Sequence, residues 1–362
     1  MSEQEQLRAI RERIDAIDKD LMRLISERAS CAQTVAEIKR AAGSGEDFYR
    51  PEREAQILRQ VKDTNPGPLE GETLARLFRE IMSACLALES PLKVAFLGPE
   101  GTYTHAAVLK HFGQDVQLAP MASLGEVFRE VEAATCPYGV VPIENSTEGV
   151  VNHTLDLFVQ SPLHVCGEVL LRIHHHLLSR EESLDGVQRV YAHQQALAQC
   201  RRWLDANLPH AERIPLSSNA EAAKRAAQDT GAAAIAGDTA ESLYGLNALK
   251  RNIEDHPDNT TRFLVIGRQE SIPPSGVDKT SVLVSTSNRP GALHRLLTPL
   301  AHNGVSMSRI ESRPSRCVNW EYVYFLDIEG HSADPKVKQA LAGLRQEAEL
   351  FRILGAYPRA VL

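Results

Sequence analysis

The chain lacks any apolar run long enough to cross a membrane as a helix. Its first residues, Met1-Ser2-Glu3-Gln4-Glu5-Gln6, are polar and offer no apolar core of a secretory leader. Six cysteines are scattered over 362 residues with no Cys-x-x-Cys, so neither a disulfide framework nor a zinc site of that spacing is expected. A reducing cytoplasm is the expected compartment. Gly-x-Gly-x-x-Gly and Gly-Lys-Ser/Thr are both missing, which leaves no dinucleotide fingerprint and no P-loop; no cofactor is expected. A formal net charge of −7 argues against nucleic acid as a partner. The triplet His174-His175-His176 invites a metal reading. It falls in an expected strand from Val169 to Leu178, where alternate side chains face opposite ways, so no metal is expected.

What is present suggests two or three domains, with 43% hydrophobic residues to build their cores. Residues 5–42 contain no Gly and no Pro, and Leu7, Ile10, Ile14, Ile17, Leu21, Leu24, Val35 and Ile38 fall mostly three or four apart. That spacing predicts one long helix, which needs a partner helix, so a homodimer or higher homo-oligomer is expected. Gly43-Ser44-Gly45 breaks it, Pro51 opens a second helix to about Thr64, and a third runs from Glu72 to Glu89. Residues 1–91 therefore read as an all-α domain. Arg28 and Lys39 lie about three turns apart and share a face, whereas Arg11 sits about 25 Å from Arg28 on another. An antiparallel partner helix could return its own Arg11 to that pair.

Residues 92–270 alternate strand and helix, which predicts parallel α/β sheets. Lys93–Leu97 reads as a strand, and Gly98-Pro99-Glu100-Gly101-Thr102-Tyr103-Thr104-His105 as a turn into a helix. That helix start offers amides and the Thr102 and Thr104 hydroxyls, a combination suited to a carboxylate. In Pro142-Ile143-Glu144-Asn145-Ser146-Thr147-Glu148-Gly149, Asn145 and Ser146 are capping residues for a helix expected from Gly149 to Gln160, with His153-Thr154 one turn on. Asp258-Asn259-Thr260-Thr261-Arg262-Phe263 leads into apolar Leu264-Val265-Ile266-Gly267, a buried strand. Ligands in open α/β sheets bind at strand ends, which places Thr261 and Arg262 where chemistry can happen. Glu254 and Asp258 read as a solvated loop. Ile272-Pro273-Pro274-Ser275-Gly276 is a linker by composition, and residues 279–362 carry the order βαββαβ of a ferredoxin-like α+β sandwich. In Asn288-Arg289-Pro290-Gly291-Ala292-Leu293 the backbone can approach a ligand at Gly291.

These stretches carry three resemblances. Leu7 to Lys39, with Arg11 in Arg-Glu-Arg-Ile-Asp-Ala-Ile-Asp and Arg28 in Ile-Ser-Glu-Arg, is similar to the helical chorismate mutases. That resemblance implies three helices intertwined with those of a second chain. It also implies a chorismate site of Arg11, Arg28, Lys39, Arg53, Glu54, Cys85 and Glu89, with Lys39 and Glu89 catalytic. Arg50 departs from it, standing where that family has an acidic residue. The Gly-Pro-Glu-Gly-Thr, Pro-Ile-Glu-Asn-Ser and Asn-x-Thr-Arg-Phe stretches resemble the prephenate dehydratase family. This implies a two-lobed fold like periplasmic binding proteins, with Thr261 catalytic. Thr102, Thr104, Asn145, Ser146, Thr154, Gln195 (in His193-Gln194-Gln195), Arg262 and Phe263 would also contact prephenate. The C-terminal unit looks like an ACT regulatory domain of the type that senses phenylalanine, implying an effector site of Asn288, Gly291, Ala292, Leu293, Glu311, Ser312, Arg313 and Pro314. His294 departs from the more frequent Val there. Together the resemblances imply two enzymatic activities in phenylalanine synthesis. A dehydratase whose helical unit only dimerises, and a non-enzymatic amino-acid sensor, remain as alternatives.

Overall fold

The computed structural model describes residues 2–42, 49–314 and 322–362. Three helices come first: α1 (Glu3–Ala41), α2 (Pro51–Asp63) and α3 (Gly71–Glu89). Ser2 and Glu5 close a capping box on α1. Its apolar residues, from Leu7 and Ile10 through Ile17 and Leu24 to Ile38, lie exposed along the single chain, and Ala36 is the helix's one buried residue. Contiguous exposed apolar surface of this kind marks an interaction face.

The middle of the chain builds two lobes. The first contains β1 (Lys93–Leu97), α4 (Tyr103–Phe112), β2 (Gln117–Met121), α5 (Leu124–Glu132), β3 (Tyr138–Asn145), β4 (Gly149–Val150), α6 (Asn152–Gln160) and β5 (His164–Arg172). The second contains β6 (His176–Ser179), β7 (Arg189–His193), α7 (Gln194–Gln199), α8 (Arg201–Asn207), β8 (Glu212–Leu216), α9 (Asn219–Ala226), β9 (Ala232–Ala236), α10 (Asp238–Tyr244) and β10 (Asn247–Lys250). The chain then returns to the first lobe as β11 (Thr260–Gly267). The strand orders are β2-β1-β3-β11-β5 and β10-β6-β9-β7-β8.

Both sheets are mixed, which corrects the expectation of parallel ones. The returning β11 inserts antiparallel between β3 and β5, and β6 pairs antiparallel with β9 and β10. A chain that crosses between lobes and comes back must run the last strand against its neighbours. The helix expected from Gly149 starts at Asn152, because Gly149–Val150 pairs with β3 instead. The histidine triplet does not sit in one strand either: β5 ends at Arg172, β6 begins at His176, and residues 173–175 are the crossing.

The C-terminal unit has the expected order: β12 (Asp278–Thr286), α11 (Ala292–His302), β13 (Met307–Pro314), β14 (Tyr322–Glu329), α12 (Pro335–Glu347) and β15 (Leu350–Pro358), in the sheet order β13-β14-β12-β15. Strand alternation splits its core. Val282, Val284, Leu326 and Ile328 face the two helices, while Leu283, Phe325, Leu354 and Tyr357 join the core of the first lobe. The two sheets approach so closely that a side chain at Gly355 would collide with the Val165 backbone.

The helical unit is also seated on its neighbours. Tyr49 is buried against Phe112 and Tyr138, with its hydroxyl 2.8 Å from His111 Nε2. From α3, Arg79 donates to the His111 carbonyl, a cation at the end of α4. Glu80 accepts from the Gln114 amide at 3.0 Å and Ser83 from the Asp115 amide at 3.2 Å. The C-terminal Val361 and Leu362 pack against Leu58, Ala75 and Met82 of α2 and α3. The stretch read as a linker is pinned: Arg59 donates to the carbonyls of Ser275 at 3.2 Å and Val277 at 2.8 Å.

Burial, reinforced by Arg79, pulls the His111 pKa down to about 3, so the folded chain keeps this ring neutral. An unfolded His takes up a proton near pH 6.5, so the stabilisation present above that pH is lost as pH falls toward 3. The difference in thermal midpoint between wild type and His111→Gln is therefore expected to shrink on acidification. The corresponding stability term is roughly 1.4 kcal/mol per pH unit below 6.5. Parallel pH curves for the two proteins would contradict this.

Candidate active sites

A cleft of about 720 Å³ lies between the two lobes. From the first lobe it is lined by Thr102, Tyr103 and Thr104 at the start of α4, by Asn145 at the end of β3, and by Asn259 and Thr261 at the start of β11. The second lobe contributes Gln195 and Gln199 of α7, and Ser218 and Asn219 at the start of α9. His175, from the crossing between the lobes, completes it.

Thr261 and Asn145 are direct partners in the β11–β3 ladder. The Asn145 amide nitrogen donates to Thr261 Oγ1 and to Asn259 Oδ1, both at 2.7 Å. Its oxygen accepts from the Thr147 and Glu148 amides at 3.0 Å, which fixes which way the amide points. With its oxygen already accepting, Thr261 keeps its own proton to donate into the cleft. Thr102 is used differently: its hydroxyl caps α4, accepting from the His105 amide and donating to the Pro99 carbonyl at 2.9 Å. Thr104 is buried at the cleft wall.

Four residues expected to contact prephenate lie away from this cleft. Arg262 follows Thr261 in a strand, so its side chain emerges on the opposite face of the sheet, away from the cleft. There it donates to Glu168 at 2.8 Å, Asp327 at 2.5 Å and the Tyr357 hydroxyl at 3.0 Å. Phe263 follows a register shift in the β3 pairing and lies in the first-lobe core. Thr154 is fully buried and donates to the Pro142 carbonyl at 2.6 Å. Ser146 is exposed and does not line the cleft; its hydroxyl accepts from the Thr260 amide at 2.9 Å and ties the loop before β11.

Sequence reasoning missed several cleft residues. His175 is 2% exposed; its Nδ1 lies 2.8 Å from the Tyr103 hydroxyl and its Nε2 2.7 Å from Gln199 Oε1. Burial keeps this ring's pKa below the ordinary histidine value. Glu254 is no solvated loop residue: its buried carboxylate accepts from His174 Nδ1 at 2.8 Å and from the His175 amide at 2.9 Å. Burial pushes its pKa up, but these hydrogen bonds prevail and hold it below the usual carboxylate range. Asp258 is indeed solvated, with its side chain 95% exposed. The signal for His175 was the histidine triplet, which spacing arguments had weighed only for metal. Among the described residues no three His, Cys, Asp or Glu side chains are grouped to hold a metal ion.

The helical unit brings a second polar group together. Glu89 has its pKa raised by burial and opposed by Lys39 and Arg28, which are therefore its near neighbours. Glu54 is likewise raised by burial against Arg79, with Arg28 next, and it pairs with Arg79 at 2.7 Å. Cys85 is buried one turn before Glu89. Arg53 is exposed, and Arg50 pairs with the buried Glu52 at 2.5 Å. Arg11 is not in this group: α1 runs unbroken from Glu3 to Ala41, so it stays about 25 Å from Arg28 within one chain.

In the C-terminal unit, Gly291 takes φ +74° at the start of α11, a conformation that favours glycine. Asn288 is exposed, Ala292 buried and Leu293 half-buried. Register places Thr286, Tyr322 and Pro314 side by side, so the turn 287–291 and the segment Glu311–Pro314 sit at one end of the sheet. Arg313 is engaged by Asp156 of α6 at 2.8 Å, and Ser312 is exposed.

Comparison with known proteins finds family models for chorismate mutase type II at residues 10–90, prephenate dehydratase at 94–271 and the ACT domain at 280–346. A bifunctional chorismate mutase/prephenate dehydratase of Pseudomonas aeruginosa is 58% identical over 366 residues, covering 100% of both chains. The structure of a prephenate dehydratase from Arthrobacter aurescens in complex with L-Phe aligns with TM-score 0.69 at 38% identity, covering 74% of this chain and 90% of that one. A structure described as GqqA, a novel type of quorum quenching acylase, aligns with TM-score 0.68 at 30% identity, covering 74% and 98%.

Proposed function

Given that the chain belongs to the family of bifunctional chorismate mutase/prephenate dehydratases, we propose which of its residues carry each reaction and in what assembly. It rearranges chorismate to prephenate, then removes water and CO₂ from prephenate to give phenylpyruvate. The likeness to an acylase covers 74% of this chain, whereas the full-length relative covers all of it.

The single observation that carries the dehydratase assignment is the Asn145–Thr261 pair at the cleft. In prephenate, electrons of the C–CO₂⁻ bond pass through the diene and expel hydroxide, leaving an aromatic ring. Thr261 donates to that departing oxygen, and Asn145 holds the threonine oxygen so that the proton faces the substrate. The starts of α4 and α9, with Thr104, Asn219 and Gln195, accept the carboxylates. Thr261→Ala is expected to cut phenylpyruvate formation by about 10² to 10⁴ while mutase turnover stays near wild type. Unchanged phenylpyruvate formation would remove Thr261 from the mechanism.

The mutase reaction is pericyclic and needs positioning and electrostatics rather than a nucleophile. Arg28 and Lys39 bind the carboxylates and the ether region, Glu54, Arg53 and Cys85 complete the walls, and Arg11 of the partner subunit closes the site. The exposed apolar stripe of α1 supports that dimer. Arg11→Ala and Lys39→Ala should each lack mutase activity, yet mixed dimers should regain part of it, because one of their two sites carries neither lesion. No recovery in mixed dimers would put both residues in one chain.

Glu89 faces the ether oxygen, and an ionised carboxylate has no proton to give it. Burial raises its pKa in the free chain despite Lys39 and Arg28. Mutase activity is expected to fall as pH rises through that raised value, and Glu89→Gln to flatten the profile. Identical pH–rate curves for the two proteins would exclude Glu89 as the donor.

L-Phenylalanine is the effector, seated at Asn288 and Gly291–Leu293 against Glu311, Ser312 and Pro314 across a subunit contact. The L-Phe complex of the Arthrobacter enzyme supports this ligand, and the position of β13 at the end of the strand order among the described residues supports the contact. Buried thiols at Cys85, Cys136 and Cys200 fit a reducing cytoplasm.

A further inference from the structure

Successive rungs of the β3–β11 ladder face opposite sides. Asn145–Thr261 faces the cleft, and the next rung, Glu144–Arg262, faces the ACT sheet. Both members of this second rung are held from the ACT side: Arg262 by Asp327 of β14 at 2.5 Å, and Glu144 by Arg309 of β13, whose Nε lies 3.1 Å from its carboxylate. Arg309 precedes Glu311 by two residues, and its Nη2 stands 4.0 Å from the Glu311 carboxylate. Its side chain is 10% exposed, yet neither Nε nor Nη2 makes an aligned hydrogen bond. A buried guanidinium thus lies between two carboxylates, one beside the catalytic pair and one in the effector segment, fully satisfied by neither.

We propose that Arg309 is the positioning residue through which an effector bound at Glu311–Pro314 alters the Asn145–Thr261 pair. This rests on the reading of L-phenylalanine as the effector. A ligand seated against Glu311 changes where that carboxylate lies, and with it the partner available to Arg309. Arg309 then tightens or releases Glu144, whose chain neighbour Asn145 holds the Thr261 oxygen. The Arg262–Asp327 ion pair keeps the two sheets in register, so a small shift of β13 reaches β3 rather than being lost as sliding. Control follows only because the effector distinguishes two arrangements of one buried cation.

The test measures L-phenylalanine binding by calorimetry and prephenate dehydratase kcat and KM at saturating L-phenylalanine. It uses the full-length chain and its Arg309→Gln and Glu144→Gln variants. Mutase turnover of the same preparations reports folding. Both variants are expected to bind L-phenylalanine within about threefold of wild type, yet to lose less than half their dehydratase rate where wild type loses tenfold. Full inhibition in both variants overturns the link. Loss of L-phenylalanine binding in Arg309→Gln also overturns it, making Arg309 part of the effector site itself. A wild-type chain that L-phenylalanine neither binds nor slows overturns the effector reading instead.

Discussion

Arg262 carries one positive charge into the seam between two β-sheets, and three oxygens converge on it there: Glu168 of β5, Asp327 of β14 and the Tyr357 hydroxyl of β15. Burial pulls the guanidinium pKa down, but Tyr357, Asp327 and Glu168 outweigh it and raise it above the ordinary value. Lys279 adds a second cation to Glu168 at 2.9 Å, and Ser281 bonds both Asp327 and Tyr357, so the carboxylates are satisfied as well. Ion pairs of this kind add little net stability, because desolvating them costs about what their attraction returns. They do exact geometry: removing one partner strands a buried charge at a cost of about 3–5 kcal/mol. The ACT sheet is therefore held in one place on the back of β11, the strand in which Thr261 precedes Arg262.

The same economy of contact ties the helical unit to the rest. Tyr49 and α3 fasten it to α4, and the C-terminal Val361 and Leu362 fill the gap between α2 and α3. What stays exposed is the apolar stripe of α1, the surface the proposed dimer would cover. In the proposed dimer, pairing through α1 would complete the mutase sites and fix two dehydratase–ACT units relative to one another. The helical unit, the lobes and the ACT sheet are joined by buried contacts, apolar as well as polar.

Much of this was legible in the residues. The buried run after Thr261, the βαββαβ order and the Gly/Pro-free first helix each follow from local pattern, and the structure contains all three. The direction of Arg262 was not legible. Local alternation says that neighbours face apart, but only the ACT sheet covering the back face makes that side a home for a charge. The placement of Thr154 and Phe263 was hidden for the same reason: a motif names a stretch of chain, while burial sorts its members between cleft and core. Glu254 and His175 were misread because an acidic residue in a loop and a histidine triplet look solvated or metal-like until the two lobes close around them. Tyr49 lay in a short connection whose only mark was a pair of adjacent aromatics, Phe48 and Tyr49, among glycines and polar residues.

The central claim is that the β3–β11 ladder serves both ends, its cleft face doing the chemistry and its back face, packed against the ACT sheet, receiving control. Amide hydrogen exchange of the full-length chain, with and without saturating L-phenylalanine, tests it most directly. The account predicts altered protection at residues 143–146 and 260–263 as well as at 288–293 and 309–314. Altered protection confined to the ACT residues, with both catalytic strands unchanged while dehydration is inhibited, would contradict it.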